Sequence, residues 1–223
     1  MNTQPPHDII DIVLVAVATL LPIVNPLGGA PIYLAMIAGL PDADRPRMAY
    51  LVAINSFVLL LASILVGAYV LDFFGVSIPA VQVAGGLVVC SFAWSLLSGQ
   101  ATPAVSGRAG ADGADMLSQR AFYPLTMPLT VGPGSMSVAM TLGANTPGNL
   151  RGLLVTSVAH AIGVLITAGS IYLCYRYAQP ILRRLGSAGT NVLMRLSAFI
   201  LLAIGTQIVW NGVRSLLITL RGS

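Results

Sequence analysis

Six stretches of this 223-residue chain, at 12–41, 48–71, 73–107, 121–150, 152–175 and 196–213, contain no Asp, Glu, Lys or Arg. Each is close to or longer than the ~20 residues a helix needs to cross the hydrocarbon of a bilayer. A charge-free helix can also be the buried core of a soluble domain. Six of them in a chain this short would leave nothing to bury them. Only 8% of the residues are charged and 56% are hydrophobic, against about 25% charged in a soluble domain. The sequence therefore reads as an all-α membrane protein of six transmembrane helices whose first partner is the lipid bilayer.

The helices are predicted at about Asp8–Gly39, Arg47–Leu71, Ile78–Ser98, Phe122–Gly143, Leu150–Tyr177 and Thr190–Leu217. A Gly/Ser/Asp-rich stretch over 99–121 reads as a flexible, solvated loop. It divides the chain into a first three-helix repeat, 1–98, and a second, 122–223. All eleven basic residues are Arg. Arg45, Arg47, Arg108, Arg120, Arg176, Arg183, Arg184 and Arg195 fall on one side, and Arg151, Arg214 and Arg221 on the other. The Arg-rich side belongs in the cytoplasm, so both termini are expected outside and the two halves are inverted. Scattered loop arginines form no basic stripe, and no nucleic-acid partner is expected. Residues 12–24 follow Asp8 and Asp11 rather than a positive segment, so an uncleaved first helix is expected. Cys90 and Cys174 read as small apolar side chains, and no metal-ligand spacing accompanies them.

Helices 1 and 4 hold corresponding places in the two halves, and both are interrupted. The interruptions are Asn25-Pro26-Leu27-Gly28-Gly29-Ala30-Pro31 and Pro128-Leu129-Thr130-Val131-Gly132-Pro133-Gly134. Proline removes a backbone donor and clashes with the preceding turn, while glycine lets the chain leave helical geometry. Both segments are expected to unwind at mid-membrane. Unpaired backbone groups in hydrocarbon cost roughly several kcal/mol each, so such backbone implies a buried, water-accessible cavity. Paired breaks in inverted halves are the pattern of secondary transporters. With Pro26 set against Pro133, an offset of 107 residues, Asn55 and His160 fall at nearly equal distances beyond the breaks.

These two Pro/Gly segments, together with Ala84-Gly85-Gly86, Asn191-Val192-Leu193-Met194-Arg195, Gln207 and Asn211-Gly212, resemble the MarC family of inner-membrane proteins. The likeness runs from residue 9 to about 217. Family members often carry a basic residue just before the Ala-Gly-Gly, where this chain has Gln82. The resemblance implies a multi-pass inner-membrane location and, for some members, transport of small neutral amino acids such as glycine and alanine.

For a zwitterion bound between the breaks, the carboxylate would be met by backbone N–H groups where the second half-helices begin, near Ala30 and near Gly134–Ser135. Gly28, Gly29 and Gly132 allow close approach, and Pro26 and Pro133 set the half-helix starts. Asn25, Thr130 and Asn55 offer oxygens to the ammonium. Ser63, Ser91, Ser157 and Thr167 read as helix–helix hydrogen bonders. The spans contain no carboxylate, which leaves His160 as the candidate for proton coupling; sodium held by unwound carbonyls, or no coupling, are the alternatives. No cofactor is expected, and no nucleotide-binding P-loop or convergent nucleophile and base points to an enzyme. A channel-like facilitator, an exporter of another small metabolite and a membrane scaffold without transport activity remain the competing readings. Small residues along helices 3, 5 and 6 permit close packing within the chain or in a homo-oligomer.

Overall fold

The computed structural model describes residues 9–99, 114–146 and 150–221, and the regular elements among them are all helical. They are α1 (Ile9–Val24), α2 (Pro26–Met36), α3 (Arg45–Phe73), α4 (Ile78–Leu97), α5 (Ala114–Arg120), a wide-turned segment Ala121–Thr130, α6 (Pro133–Ala144), α7 (Leu150–Arg176) and α8 (Ala178–Arg221). Helices α3, α4, α7 and α8 are each long and apolar enough to cross a membrane. Taken together, α1 and α2 also pass that test of length and composition, and they bend by 41° at the break between them, as a broken span or a re-entrant loop does. Large apolar side chains such as Phe73, Leu165 and Phe199 face outward and are more than half exposed. On a soluble protein such a surface would aggregate; here it suits contact with lipid.

The inward faces build one main core. Leu20, Tyr33, Met48, Leu60, Val131, Val164 and Ile171 are buried together, drawn from α1, α2, α3, the second break and α7. Helix α4 packs on both α6 and α8 through adjacent glycines. Gly85 abuts Ser137 and the Pro133 carbonyl, whereas Gly86 abuts the Gly205 carbonyl and Val209. Two neighbouring positions on a helix point in different directions, so the Gly-Gly pair lets α4 approach two helices at once. The small residues of α4 and α8 thus serve packing within the chain.

The link from α2 to α3 is tied down at one end of the bundle. Tyr33 Oη donates to the Arg45 carbonyl at 3.4 Å. Arg45 pairs with Asp42 at 3.0 Å and donates to Gln179 Oε1 at 2.9 Å. Arg176 lies over the Tyr177 ring. Arginines from the α2–α3 link and the α7–α8 link therefore gather at one end.

Three expectations need correction. The loop over 99–121 is not irregular throughout, because Ala114–Arg120 is helical; residues 100–113 lie outside the described residues. The disturbance in the fourth predicted helix begins at Ala121 rather than at Pro128. Pro124 and Pro128 stand four residues apart, so consecutive turns each lose a donor, and Tyr123 and Met127 leave helical φ/ψ. The last helix is preceded by a helical segment that starts at Ala178; the two meet at a kink at Gly186, whose φ of 68° favours glycine, so the long part begins a few residues before the expected Thr190.

Candidate functional site

The first break is a compact bend. Asn25 takes a left-handed φ of 46°, and its Oδ1 accepts from Gly28 N at 3.2 Å. The side chain thereby caps α2, whose first residue is Pro26. The backbone ladder almost survives: Asn25 N donates to the Leu21 carbonyl at 2.9 Å and Gly29 N to the Asn25 carbonyl at 3.0 Å. The expected unwinding is thus reduced here to one residue.

The second break is extended. Thr126 Oγ1 donates to the Ala121 carbonyl at 2.6 Å, and Thr130 Oγ1 to the Leu125 carbonyl at 2.7 Å. Val131 N reaches back to the Thr126 carbonyl at 2.8 Å. Side-chain hydroxyls bond carbonyls five residues back, which helps satisfy buried backbone where the regular helix is lost. Val131 and Gly132 are then extended, and α6 starts at Pro133 with no side chain capping it. Pro26 and Pro133 therefore both open a half-helix, at the positions the sequence offset pairs.

The two breaks line one cavity of about 390 Å³. Asn25, Gly28 and Gly29 come from the first; Thr130, Gly132, Pro133 and Gly134 come from the second. Val88, Ser91, Phe92 and Ser95 of α4 and Leu201 of α8 complete much of the wall. The volume falls in the range of small-molecule sites, and the lining holds no charged side chain. Both half-helix N-termini border it, but their amides differ. Gly28 N is occupied by Asn25, whereas α6 has no side-chain cap. A capless helix N-terminus presents free N–H groups and a positive dipole end, which suits a carboxylate.

Seven of the ten sequence-predicted residues meet at this cavity. Pro26 is buried beside it but is absent from its lining. Asn55 is half-buried on α3, away from the lining. His160 is buried on α7 and also stands apart; its Nδ1 has no hydrogen-bond partner among the described residues. It lies one turn before Gly163, which abuts Ala16 of α1. Ser63 and Thr167 bond back to Leu59 and Gly163 of their own helices rather than across helices. Ser91, read as a helix–helix bonder, lines the cavity instead.

Sequence reasoning missed Tyr33 and Tyr175. Their rings stack at 4.2 Å between centroids, and the Tyr175 hydroxyl bonds Thr130 Oγ1 at 2.9 Å. A Cβ at Gly29 would stand 2.8 Å from that hydroxyl. Tyr175 also lines a separate cavity of about 370 Å³ with Asp42, Arg45 and Arg176. It thus stands between the break cavity and the arginine-bearing end. The available signal was the i, i+4 series Asn25, Gly29, Tyr33, which shares one helix face.

A helical integral membrane protein with two broken segments around a shared, uncharged cavity is the class that this fold and site define. The chain belongs to the MarC family: the model for the MarC family integral membrane protein matches residues 10–217. It is similar to a UPF0056 membrane protein of Methanocaldococcus jannaschii, 30% identical over 92% of this chain and 97% of that protein. It is also similar to the UPF0056 inner membrane protein MarC of Salmonella typhimurium, 29% identical over 95% of this chain and 98% of that one. A UPF0056 membrane protein of Archaeoglobus fulgidus is 29% identical over 91% and 92% respectively. No solved structure matches the chain.

Proposed function

We propose that this protein is a secondary transporter of small neutral amino acids, glycine or alanine in size, bound between the two breaks. The observation that carries the reading is the uncharged cavity that two broken segments about a hundred residues apart in sequence share. An uncharged lining selects a solute of no net charge, and a zwitterion is one whose two ends still need polar partners. In this reading the carboxylate sits at the uncapped start of α6, on Gly134 N and Ser135 N. The ammonium takes Thr130 and nearby break carbonyls. Glycine and alanine leave room for water in the cavity, which completes their hydrogen bonds.

The same reading treats Ala121–Ala144 as a sixth, broken passage. The chain then forms two inverted three-helix repeats in the inner membrane, with the arginine-bearing end in the cytoplasm and both termini outside. Tyr33 and Tyr175 close the path toward that end. His160, outside the cavity, acts on coupling through α1 and α7 rather than by touching the substrate.

Uptake of radiolabelled glycine and alanine into proteoliposomes tests the proposal, with sodium and pH gradients imposed separately. Saturable uptake, abolished by Asn25→Ala combined with Gly132→Leu in folded protein, supports it and identifies the driving ion. Uptake equal to empty liposomes under every gradient overturns the amino-acid assignment. Non-saturating, gradient-independent uptake assigns a channel-like facilitator instead.

A further inference from the structure

Three polar side chains singled out in the sequence have no part in the break cavity: Gln82, Gln207 and Asn211. The fold brings them together. With Thr19 and Thr141 they line a second cavity of about 320 Å³ between α1, α4, α6 and α8. Ile23 lines both cavities. The second cavity therefore adjoins the first, and Tyr175 lies on the opposite side of the breaks, toward Arg45.

The polar groups here are only half used. Gln82 Nε2 donates to Thr141 Oγ1 at 3.0 Å, and Gln207 Nε2 donates to Asn211 Oδ1 at 2.9 Å. Among the described residues, Gln82 Oε1, Gln207 Oε1 and Asn211 Nδ2 take no hydrogen bond. Two carbonyl acceptors and an amide donor are thus left free on one wall. Facing lipid, each would lose roughly several kcal/mol of solvation, so this wall needs water or a polar solute. No charged side chain lines the cavity. It offers donors and acceptors with no net charge, the same chemistry as the break cavity.

We propose that this amide-lined cavity is a second binding site for a small neutral zwitterion, a vestibule through which the solute reaches the breaks past Ile23. The inference rests on the transport reading above. The amides replace part of the hydration shell of the solute, and Ile23 is the apolar constriction between the two sites. Substitution of a basic residue at Gln82 would add a fixed charge and change the solute the vestibule accepts.

The test uses the full chain in proteoliposomes with Cys90 and Cys174 replaced by Ala. Single cysteines are introduced as Ala18→Cys in the vestibule, Ser91→Cys in the break cavity and Leu165→Cys on the lipid face. Reaction with a charged, membrane-impermeant thiosulfonate is followed with and without glycine. The proposal predicts that Ala18→Cys and Ser91→Cys react while Leu165→Cys does not. Glycine at ten times its Kd should slow both reactions about tenfold. Adding Gln82→Leu should remove the protection at Ala18→Cys. An Ala18→Cys as inert as Leu165→Cys overturns the vestibule, because the cavity is then filled by lipid or a second copy. Reaction at Ala18→Cys without protection, while Ser91→Cys is protected, overturns the second site and leaves the first standing. Absence of glycine protection at both positions overturns the amino-acid reading and this inference with it.

Discussion

The two breaks have similar composition and different structures. At Asn25 one left-handed residue bends a nearly intact helix, and its own side chain closes the new N-terminus. At Gly132 ten residues of wide turn precede an extended pair, and the new N-terminus is left open. The difference arises from where the prolines fall. Pro22 and Pro26 flank Asn25, so a single residue absorbs the bend. Pro124, Pro128 and Pro133 are spread over more than two turns, and Thr126 and Thr130 bond backbone carbonyls along the disturbed stretch. The lesson is that a Pro/Gly segment marks a break without fixing its form. Nearby Asn or Thr side chains decide whether the freed groups are satisfied locally or left for a ligand. In the proposed reading the first break is a fixed wall and the second is the binding end.

Substitutions can break this comparison. The largest effect is expected at Gly134, where an added Cβ would overlap the Val89 side chain and stand 3.0 Å from the Gly85 carbonyl. Gly134→Val should cost about 1–3 kcal/mol by overpacking, read as a lowered unfolding temperature of purified protein in detergent. Thr130→Val should come next. It strands the buried Tyr175 hydroxyl and the Leu125 carbonyl, at about 1–3 kcal/mol. The double variant Thr130→Val with Tyr175→Phe should lose less than the sum of the single losses, since the hydroxyl that lacked a partner is gone as well.

At the first break, Asn25→Ala loses the cap and replaces Asn, which tolerates the left-handed region, with a residue that does not, together about 1–2 kcal/mol. Asn25→Gly keeps the backbone free and should cost only a few tenths of a kcal/mol. Equal melting of the two variants would show that the bend does not depend on the left-handed residue. The smallest effect is expected for Gly132→Ala. Its methyl group would meet only the Pro128 carbonyl, at 3.1 Å, and stability should stay within about 0.5 kcal/mol. A large loss there would mean that the second break is as rigid as the first.

Much of this was legible in the sequence. Charge-free runs located the long helices, and α4 and α7 begin at the residues expected, Ile78 and Leu150. The two Pro/Gly segments located the cavity, because no helix can continue through them unchanged. Facing was not legible. Helices apolar on all sides carry no stripe to show which side turns inward. Asn55 and His160 were therefore grouped with the breaks by sequence offset, while Ser91, on the cavity wall, was assigned to packing. Tyr175 was missed for the same reason: its role comes from three helices meeting at Gly29, Tyr33 and Thr130. The early onset of the second break at Ala121 was signalled by Pro124, but one proline alone reads as a kink.

The most direct test of the central claim, that both breaks form one amino-acid site, is equilibrium binding of radiolabelled glycine to purified, folded protein. One variant adds bulk at each break, Gly29→Leu against the Tyr175 hydroxyl that holds Thr130 and Gly132→Leu at the cavity wall, with unfolding curves run on both. Saturable binding to the wild type, lost in each variant that retains a cooperative unfolding transition, is the predicted result. Binding that persists when bulk is added at either break would contradict a shared site.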